Sequence, residues 1–436
     1  MNGMNIGILV IGNELTSGMT QDTNSSFAAR ELHSQGWRVS AAMAVGDDTS
    51  AIKGGLEYLL GISDALVVTG GLGPTADDIT TASVAGAFGL GLYTDDTVLR
   101  RLKERFAGFG IPWTENNAKQ ALFPEGAVVI DNPAGTACGF FLERGGRPVV
   151  VIPGVPAEAR RMFLEGVIPL FRERLGSREQ VAKRTIKIFR LTESRIDQEL
   201  AQEDLKIPGV TIGFYPRFPQ ISLVVTSRGG DVARVEENLK TAEKRITGRL
   251  GDYIFGYDDD TMEGVVAALL TDRRLTLAVA ESCTGGLITD RLTDVPGSSL
   301  FLERGVVVYS NASKVDLLGV PASVIEKHGA VSEETAVLMA EGVRRLGGTD
   351  MGLATTGIAG PAGGTEEKPV GTVFVALSSG EGTVCRRYQF RWNRRRIKEM
   401  SSQIALDMLR RALIGGRGCI DITAPVHYKD ICRSSW

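Results

Sequence analysis

Histidine is scarce in this sequence, with three in 436 residues, at positions 33, 328 and 427. That scarcity argues against a histidine-based metal cluster and against a Ser-His-Asp hydrolase, both of which need imidazoles converging on one point. Cysteine is nearly as thin. The five cysteines, at 138, 283, 385, 419 and 432, are odd in number, scattered and without a Cys-x-x-Cys pair. Neither a disulfide framework nor a thiolate zinc site is expected, and a reducing, cytoplasmic setting is. No apolar run reaches the ~18 residues that span a bilayer, and Met1-Asn2-Gly3-Met4 lacks the basic and apolar regions of a signal peptide, so no membrane partner is expected. An excess of either charge is missing too. The 49 basic and 52 acidic residues leave a net charge of -3, which gives no global pull toward nucleic acid or an anionic membrane.

What is present is an ordinary globular composition, 43% hydrophobic and 23% charged, in a chain long enough for roughly two or three domains. Residues 1–172 alternate apolar runs with helical patterns, which predicts a doubly wound parallel α/β sheet. Residues 6–11, 37–44, 65–69 and 149–152 read as strands, and 24–34 as a helix. The glycine-rich loops fall at the C-terminal ends of those strands, where parallel sheets bind ligands. Residues 177–257 form a small α+β module, with strands at 185–189 and 221–226 and helices at 193–202 and 231–250. Asp258-Asp259-Asp260 reads as a solvated hinge. Residues 261–416 are again α/β, and the tail 417–436 shows no periodicity.

The most informative segment is Ala280-Glu281-Ser282-Cys283-Thr284-Gly285-Gly286, between the apolar run 275–280 and an amphipathic run from Leu287. Strand, small-residue turn and helix would expose Ser282, Cys283 and Thr284 at the mouth of a parallel sheet. They would also aim the free N–H groups of a helix start at a bound anion. A plain tight turn is the competing explanation. Downstream come Tyr309-Ser310-Asn311-Ala312-Ser313-Lys314, His328-Gly329-Ala330-Val331-Ser332 and Thr356-Gly357-Ile358-Ala359-Gly360-Pro361. The last leads into Gly363-Gly364-Thr365-Glu366-Glu367-Lys368-Pro369. Together these motifs resemble the CinA family and its stand-alone C-terminal relatives, the nicotinamide mononucleotide (NMN) deamidases, from Thr261 to Gly415.

The resemblance implies an amidase without a metal in the C-terminal domain. Such chemistry needs a nucleophile, a base, an oxyanion donor and a phosphate clamp. With no histidine suitably placed, a Ser-Lys pair is the arrangement expected, Ser282 attacking and Lys314 of lowered pKa taking its proton. Tyr309 would position the ring or the lysine. Cys283 is the rival nucleophile, or a buried small residue. Thr284 is a second hydroxyl in the site or a helix cap. Gly285 and Gly286 would contact substrate, Thr356, Gly357 and Gly360 build a loop over the ribose phosphate, and Lys368 is a phosphate ligand or a surface lysine. The family's late Gly-Asp-Arg with a second Arg four residues on reads here Trp392-Asn393-Arg394-Arg395-Arg396-Ile397-Lys398. Arg394 matches, while Asn393 and Lys398 replace the acid and the second arginine, a point charge in place of a fork.

At the other end, Gly70-Gly71-Leu72-Gly73-Pro74-Thr75-Ala76-Asp77-Asp78 offers backbone N–H groups to a phosphate and two acids to a hard cation. The alternative is that Thr75, Asp77 or Asp78 caps a helix. This loop resembles that of the molybdopterin-binding fold in CinA proteins, as do Gly12-Asn13-Glu14-Leu15 with Gly18, Asp22 and Asn24, then Asn132-Pro133 with Gly135 and Ala137, and Pro153-Gly154-Val155-Pro156 with Glu158. The resemblance implies hydrolysis of ADP-ribose to AMP and ribose 5-phosphate with a divalent cation, Mg²⁺ or Co²⁺, held by Asp77 and Asp78, and with K⁺ as a further candidate. Gly70, Gly71, Gly73, Pro74, Thr75, Asn132 and Gly154 would contact substrate. The family also carries a KH-like domain at 177–257. A KH domain that clamps nucleic acid does so with a Gly-x-x-Gly loop. No such clamp is read here, so a connector is expected and direct nucleic-acid binding is not. The resemblance further implies a homodimer. Two other readings stand beside the two-activity hydrolase: a competence- or damage-linked regulatory protein with degenerate sites, and a molybdopterin-handling N-terminal domain.

Overall fold

The computed structural model describes residues 4–176 and 179–415. The tail read at 417–436 lies outside them. By packing, the chain falls into two compact units, one running to Lys183 with Ser227–Asn238, the other comprising Arg184–Thr226 and the residues from Leu239 on. The small α+β module is thus divided between the two units.

The first unit opens with β1 (Asn5–Ile11), whose residues from Ile6 to Ile11 are all buried. Such an unbroken apolar run suits a strand covered on both faces. It is followed by α1 (Asn24–Ser34), β2 (Arg38–Val45), α2 (Thr49–Ile62), β3 (Ala65–Thr69), α3 (Thr80–Phe88) and α4 (Asp96–Gly108). Then come β4 (Val128–Ile130), β5 (Gly139–Arg144), β6 (Arg147–Ile152) and α5 (Pro156–Met162). The sheet order is β2-β1-β3-β6-β5-β4. The pairs β1–β2, β1–β3 and β3–β6 are parallel, with Val67 beside Ile8 and Val150 beside Val67. The far edge departs from the all-parallel expectation, because β5 pairs antiparallel with both β6 and β4. A two-residue turn, Gly145-Gly146, joins β5 to β6, and so short a link permits only an antiparallel neighbour. Leu9, Leu66, Val68 and Val151 face one core, and Ile8, Val10, Val67 and Val150 the other. Helices therefore cover both faces, and the order reverses between β1 and β3, the place where such sheets take ligands.

The small module comprises β7 (Gln180–Ile188), α6 (Glu193–Leu200), β8 (Val210–Arg217), β9 (Gln220–Gly229), α7 (Val232–Leu250) and β10 (Ile254–Tyr257), with sheet order β8-β9-β7-β10. A Gly-x-x-Gly tetrad is present after all, Gly248-Arg249-Leu250-Gly251. It forms the last turn of α7, with Leu250 buried and Arg249 bonded to Gln202 and Glu199. It is a packed helix end, unlike an exposed clamp loop. The hinge expected at Asp258 to Asp260 is a bonded turn. Asp258 accepts the Thr185 N–H at 2.9 Å and pairs with Arg184, and Asp260 accepts the Tyr257 N–H at 2.8 Å.

The remainder of the second unit is a five-stranded sheet flanked by helices. In chain order it contains α8 (Met262–Arg273), β11 (Leu277–Glu281), α9 (Leu287–Thr293), β12 (Leu302–Val307), α10 (Asn311–Leu318), α11 (Glu333–Gly347), β13 (Met351–Gly357), β14 (Thr372–Ser379), β15 (Gly382–Gln389) and α12 (Arg394–Ile414). The order β12-β11-β13-β14-β15 places β11 between parallel β12 and β13. β14 and β15 add an antiparallel hairpin. Phe189, just past β7, and Phe255 on β10 share one buried cluster with Leu277, Val279 and Leu353. That part of the module packs into the core of this sheet.

Candidate active site

Ser282 leaves the C-terminal end of β11, and its N–H is held by the Thr355 carbonyl on neighbouring β13 at 3.0 Å. Across from it, Ser310 caps α10 by accepting the Ser313 N–H. Helical side chains lean toward the N-terminus, so Lys314 in the first turns reaches back to the strand end just vacated by the chain. Its Nζ lies 3.3 Å from Ser282 Oγ and donates to the carbonyls of Val308 at 2.8 Å, Tyr309 at 3.2 Å and Ser310 at 3.4 Å. Lys314 is 1% exposed and Ser282 8%. Burial lowers the Lys314 pKa from its ordinary value, with Cys283 opposing, because a charge removed from water is disfavoured.

These two residues open onto a cavity of about 250 Å³ lined also by Cys283, Tyr309, Val331, Thr356, Gly357, Gly360 and Arg394, among others. Arg394, at the start of α12, donates to the Gly360 carbonyl at 2.7 Å and to the Tyr309 hydroxyl at 3.0 Å, and so ties the loop after β13 to the rim beside Lys314. Thr356 reaches the Ala330 carbonyl at 2.7 Å. Lys398, one turn after Arg394, sits 3.5 Å from where a Cβ on Gly285 would stand. The rival nucleophile is unfavoured: burial pushes the Cys283 thiol up to about 12, and the reactive form is the thiolate.

Several expected roles are overturned. Thr284 is fully buried, outside the cavity, its hydroxyl paired with that of Thr355 at 2.8 Å. It does not cap α9 either, since Gly286 holds the cap position without a side-chain bond. Three of the N–H groups expected to greet an anion are occupied. The carboxylate of Glu281, fully buried, accepts from Gly286 N at 3.0 Å, Ile288 N at 3.1 Å, Thr289 N at 2.8 Å and the Thr289 hydroxyl at 2.8 Å. Gly285 and Gly286 do not line the cavity. They carry φ of 62° and 94°, the left-handed turn that lets the loop fold over Glu281. Lys368 is likewise absent from the lining, its ammonium bound to the His328 carbonyl at 2.6 Å.

In the first unit a cleft of about 370 Å³ opens where β1, β3 and β6 end. Gly70, Gly71, Gly73, Pro74, Asp77, Asp78 and Gly154 line it as expected, with Glu14 and Glu158. Asp47 after β2, Gln120 and Thr136 join them without having been singled out. Asp47 obeys the same strand-end rule and was readable; Gln120 carried no signal. Gly70 is indispensable by shape, because with φ of 112° a Cβ would stand 2.1 Å from the Ile11 carbonyl oxygen. Asp78 does not cap α3, which begins at Thr80 with no side-chain cap. Its carboxylate instead accepts the N–H of Thr75 at 2.8 Å and the Thr75 hydroxyl at 2.5 Å. That bond occupies Thr75, which lies outside the lining. Asn132 also stays out of this cleft. Its amide accepts from Ala134 N and Gly135 N and donates to the Ala137 carbonyl and to Glu158 at 2.6 Å, so it shapes the loop and aims Glu158. Asp22 accepts the Ser25 N–H at 3.0 Å and fixes the first turn of α1.

Comparison with known proteins gives three family matches along the chain: the probable molybdopterin binding domain over residues 7–173, the damage-inducible protein CinA KH domain over 183–256, and the CinA C-terminal domain over 259–413. Similar proteins include a CinA-like protein of Syntrophus aciditrophicus, 58% identical over 415 residues, covering 95% of this chain and 99% of its own. A putative competence-damage inducible protein of Caldicellulosiruptor bescii is 40% identical over 407 residues, covering 93% and 98%. Among solved structures, a competence/damage inducible protein of Agrobacterium tumefaciens is 39% identical over 35% of this chain and 93% of its own, with a TM-score of 0.34.

Proposed function

The chain belongs to the CinA family, and from that premise we propose that it is a two-site hydrolase that deamidates NMN in its C-terminal domain and hydrolyses ADP-ribose in its N-terminal domain. One observation carries the first activity. Lys314 Nζ has four near neighbours, three carbonyl oxygens and the Ser282 hydroxyl. As a neutral amine, Lys314 would give its two N–H bonds to the two nearer carbonyls, of Val308 and Tyr309, and its lone pair would face the one neighbour that carries a proton. Ser282 Oγ then attacks the amide carbon while its proton passes to Nζ. The C–N bond breaks, and ammonia leaves with that proton. Water next attacks the acyl ester and gives a proton to Lys314; the ester C–O bond breaks, Lys314 returns that proton to Ser282 Oγ, and the product departs as the carboxylate after losing its acid proton to solvent. Arg394 and Lys398 supply the positive charge for the nucleotide phosphate.

For the second activity, the glycine-lined cleft admits a diphosphate close to the backbone. A hard divalent cation fits the donors there, because Mg²⁺ commonly takes one or two carboxylates and completes its shell with water and substrate phosphates. Asp77 and Asp78 would hold it, and when bound it would neutralise pyrophosphate charge and activate water. The damage-inducible names of relatives describe when those proteins are made, whereas the intact Ser282–Lys314 pair favours a working site over a degenerate one. The deciding experiment offers NMN and ADP-ribose separately to the full-length protein and follows ammonia and AMP. Release of neither product, with and without Mg²⁺, would leave the chain a binding protein.

A further inference from the structure

The hairpin joining β8 to β9 in the small module ends in Phe218, half-buried and part of the second unit. Its ring stands edge-on to Trp392, with centroids 5.1 Å apart and planes at 80°. Trp392 stacks on Phe390 at 5.6 Å, and Phe390 on Tyr388 at 6.1 Å, so that a ladder of three rings runs up from β15. The Arg396 guanidinium lies 5.0 Å from the centre of the Phe218 ring. Arg394 lies between Trp392 and Arg396 in sequence, and it reaches from the start of α12 to Gly360 and Tyr309 at the cavity. Phe218 therefore grips the chain on both flanks of the cavity's arginine without touching the cavity itself.

We propose that Phe218 is a positioning residue for the C-terminal site, by which the small module holds the 390–396 segment and hence Arg394 in register for the substrate phosphate. This inference rests on the deamidase reading above. The physical basis is that edge-on ring pairs and cation–π contacts are directional, so they fix an orientation as well as burying area. The cost of losing them falls on binding, since Arg394 meets the phosphate and lies away from the scissile amide.

The test compares Phe218→Ala, Phe218→Leu and Phe218→Tyr with wild type in the full-length protein. For Phe218→Ala, KM for NMN should rise about 3- to 10-fold while kcat stays within about twofold, the scale of an aromatic pair. Phe218→Leu keeps the bulk but should reproduce the rise, and Phe218→Tyr, which keeps the ring, should restore KM. Hydrogen exchange of residues 390–397 should quicken in Phe218→Ala and Phe218→Leu only. Unchanged KM and exchange would overturn the proposal, and so would a general loss of protection with no KM-specific effect. If wild type releases no ammonia from NMN, the deamidase reading fails, while the exchange of 390–397 still decides whether the ring holds that segment.

Discussion

Replacing Lys314 by Met separates the chemistry of that side chain from its volume. Lys314 is among the largest fully buried side chains of the protein, so Lys314→Ala would open a cavity and cost about 2–5 kcal/mol for that reason alone. Met fills nearly the same space and cannot accept a proton. Two energies then change. The carbonyls of Val308 and Tyr309, now bonded at 2.8 and 3.2 Å, lose their donor, at about 1–3 kcal/mol for buried acceptors. Against this, the variant no longer buries an ionisable amine. The two partly cancel, and the fold should survive with a change within about 2 kcal/mol. Activity has no such offset. Loss of a positioned base costs about 10²- to 10⁴-fold, or roughly 3–5 kcal/mol of barrier.

The same lowered pKa fixes two pH dependences. In wild type the amine must be neutral to act, so kcat/KM for NMN should rise with pH through the depressed Lys314 pKa and then level off. For stability, a lysine whose folded pKa lies below its unfolded value binds fewer protons folded than unfolded. Its penalty is fully present below the folded pKa and disappears as pH rises through the unfolded value near ~10.4. Lys314→Met should therefore gain on wild type at pH 6 and lose that advantage by pH 10. Ammonia release and thermal unfolding across that range measure both. A folded Lys314→Met retaining more than a tenth of wild-type turnover would refute the base assignment.

Cys283→Ala should keep turnover within about threefold, since a thiol with a pKa of about 12 is ionised in only about one molecule in 10⁵ at pH 7; a dead variant would transfer the nucleophile to sulfur. Asp78→Asn should abolish AMP release from ADP-ribose and leave ammonia release from NMN intact, and equal loss of both would point to misfolding instead. Asn132→Ala should lower AMP release about 10-fold or more through misplacement of Glu158, on the scale at which a small error in site geometry costs rate; unchanged AMP release would make Asn132 a loop residue only.

Elements governed by one strong local pattern were legible. The helix at Asn24–Ser34 and the strand at Ala65–Thr69 stand where the periodicity puts them, because a fully buried strand must be apolar throughout and an exposed helix cannot be. What sequence pattern does not carry is who satisfies whom. Nothing near Thr284 announces that Thr355, 71 residues on, will take its hydroxyl. Asn132 has the composition of a ligand residue and is drawn into loop bonds instead, while Asp78 bonds Thr75 besides lining the cleft. The Gly248–Gly251 tetrad shows the converse, a recognisable spacing at a helix end where packing removes its usual meaning. The sharing of one core by Phe189, Phe255 and the C-terminal sheet is a tertiary fact that no domain-by-domain reading contains.

Glu281 has the largest consequence for how this site recognises charge. A strand–turn–helix motif ordinarily offers its helix N-terminus to an incoming anion. Here the acid is built in, a fully buried carboxylate with four hydrogen-bond donors, so its oxygens are satisfied without solvent. A substrate phosphate brought to the same place would meet occupied N–H groups and a like charge. On the proposed reading, phosphate recognition falls instead to α12, with Arg394 at the cavity and Lys398 one turn on, spaced i and i+4. Arg394 is already bonded to Gly360 and Tyr309, whereas Lys398 carries a point charge on a long stem. The built-in carboxylate fixes the turn that follows Ser282, and on that reading the cations of α12 would meet the nucleotide phosphate on the side away from that turn.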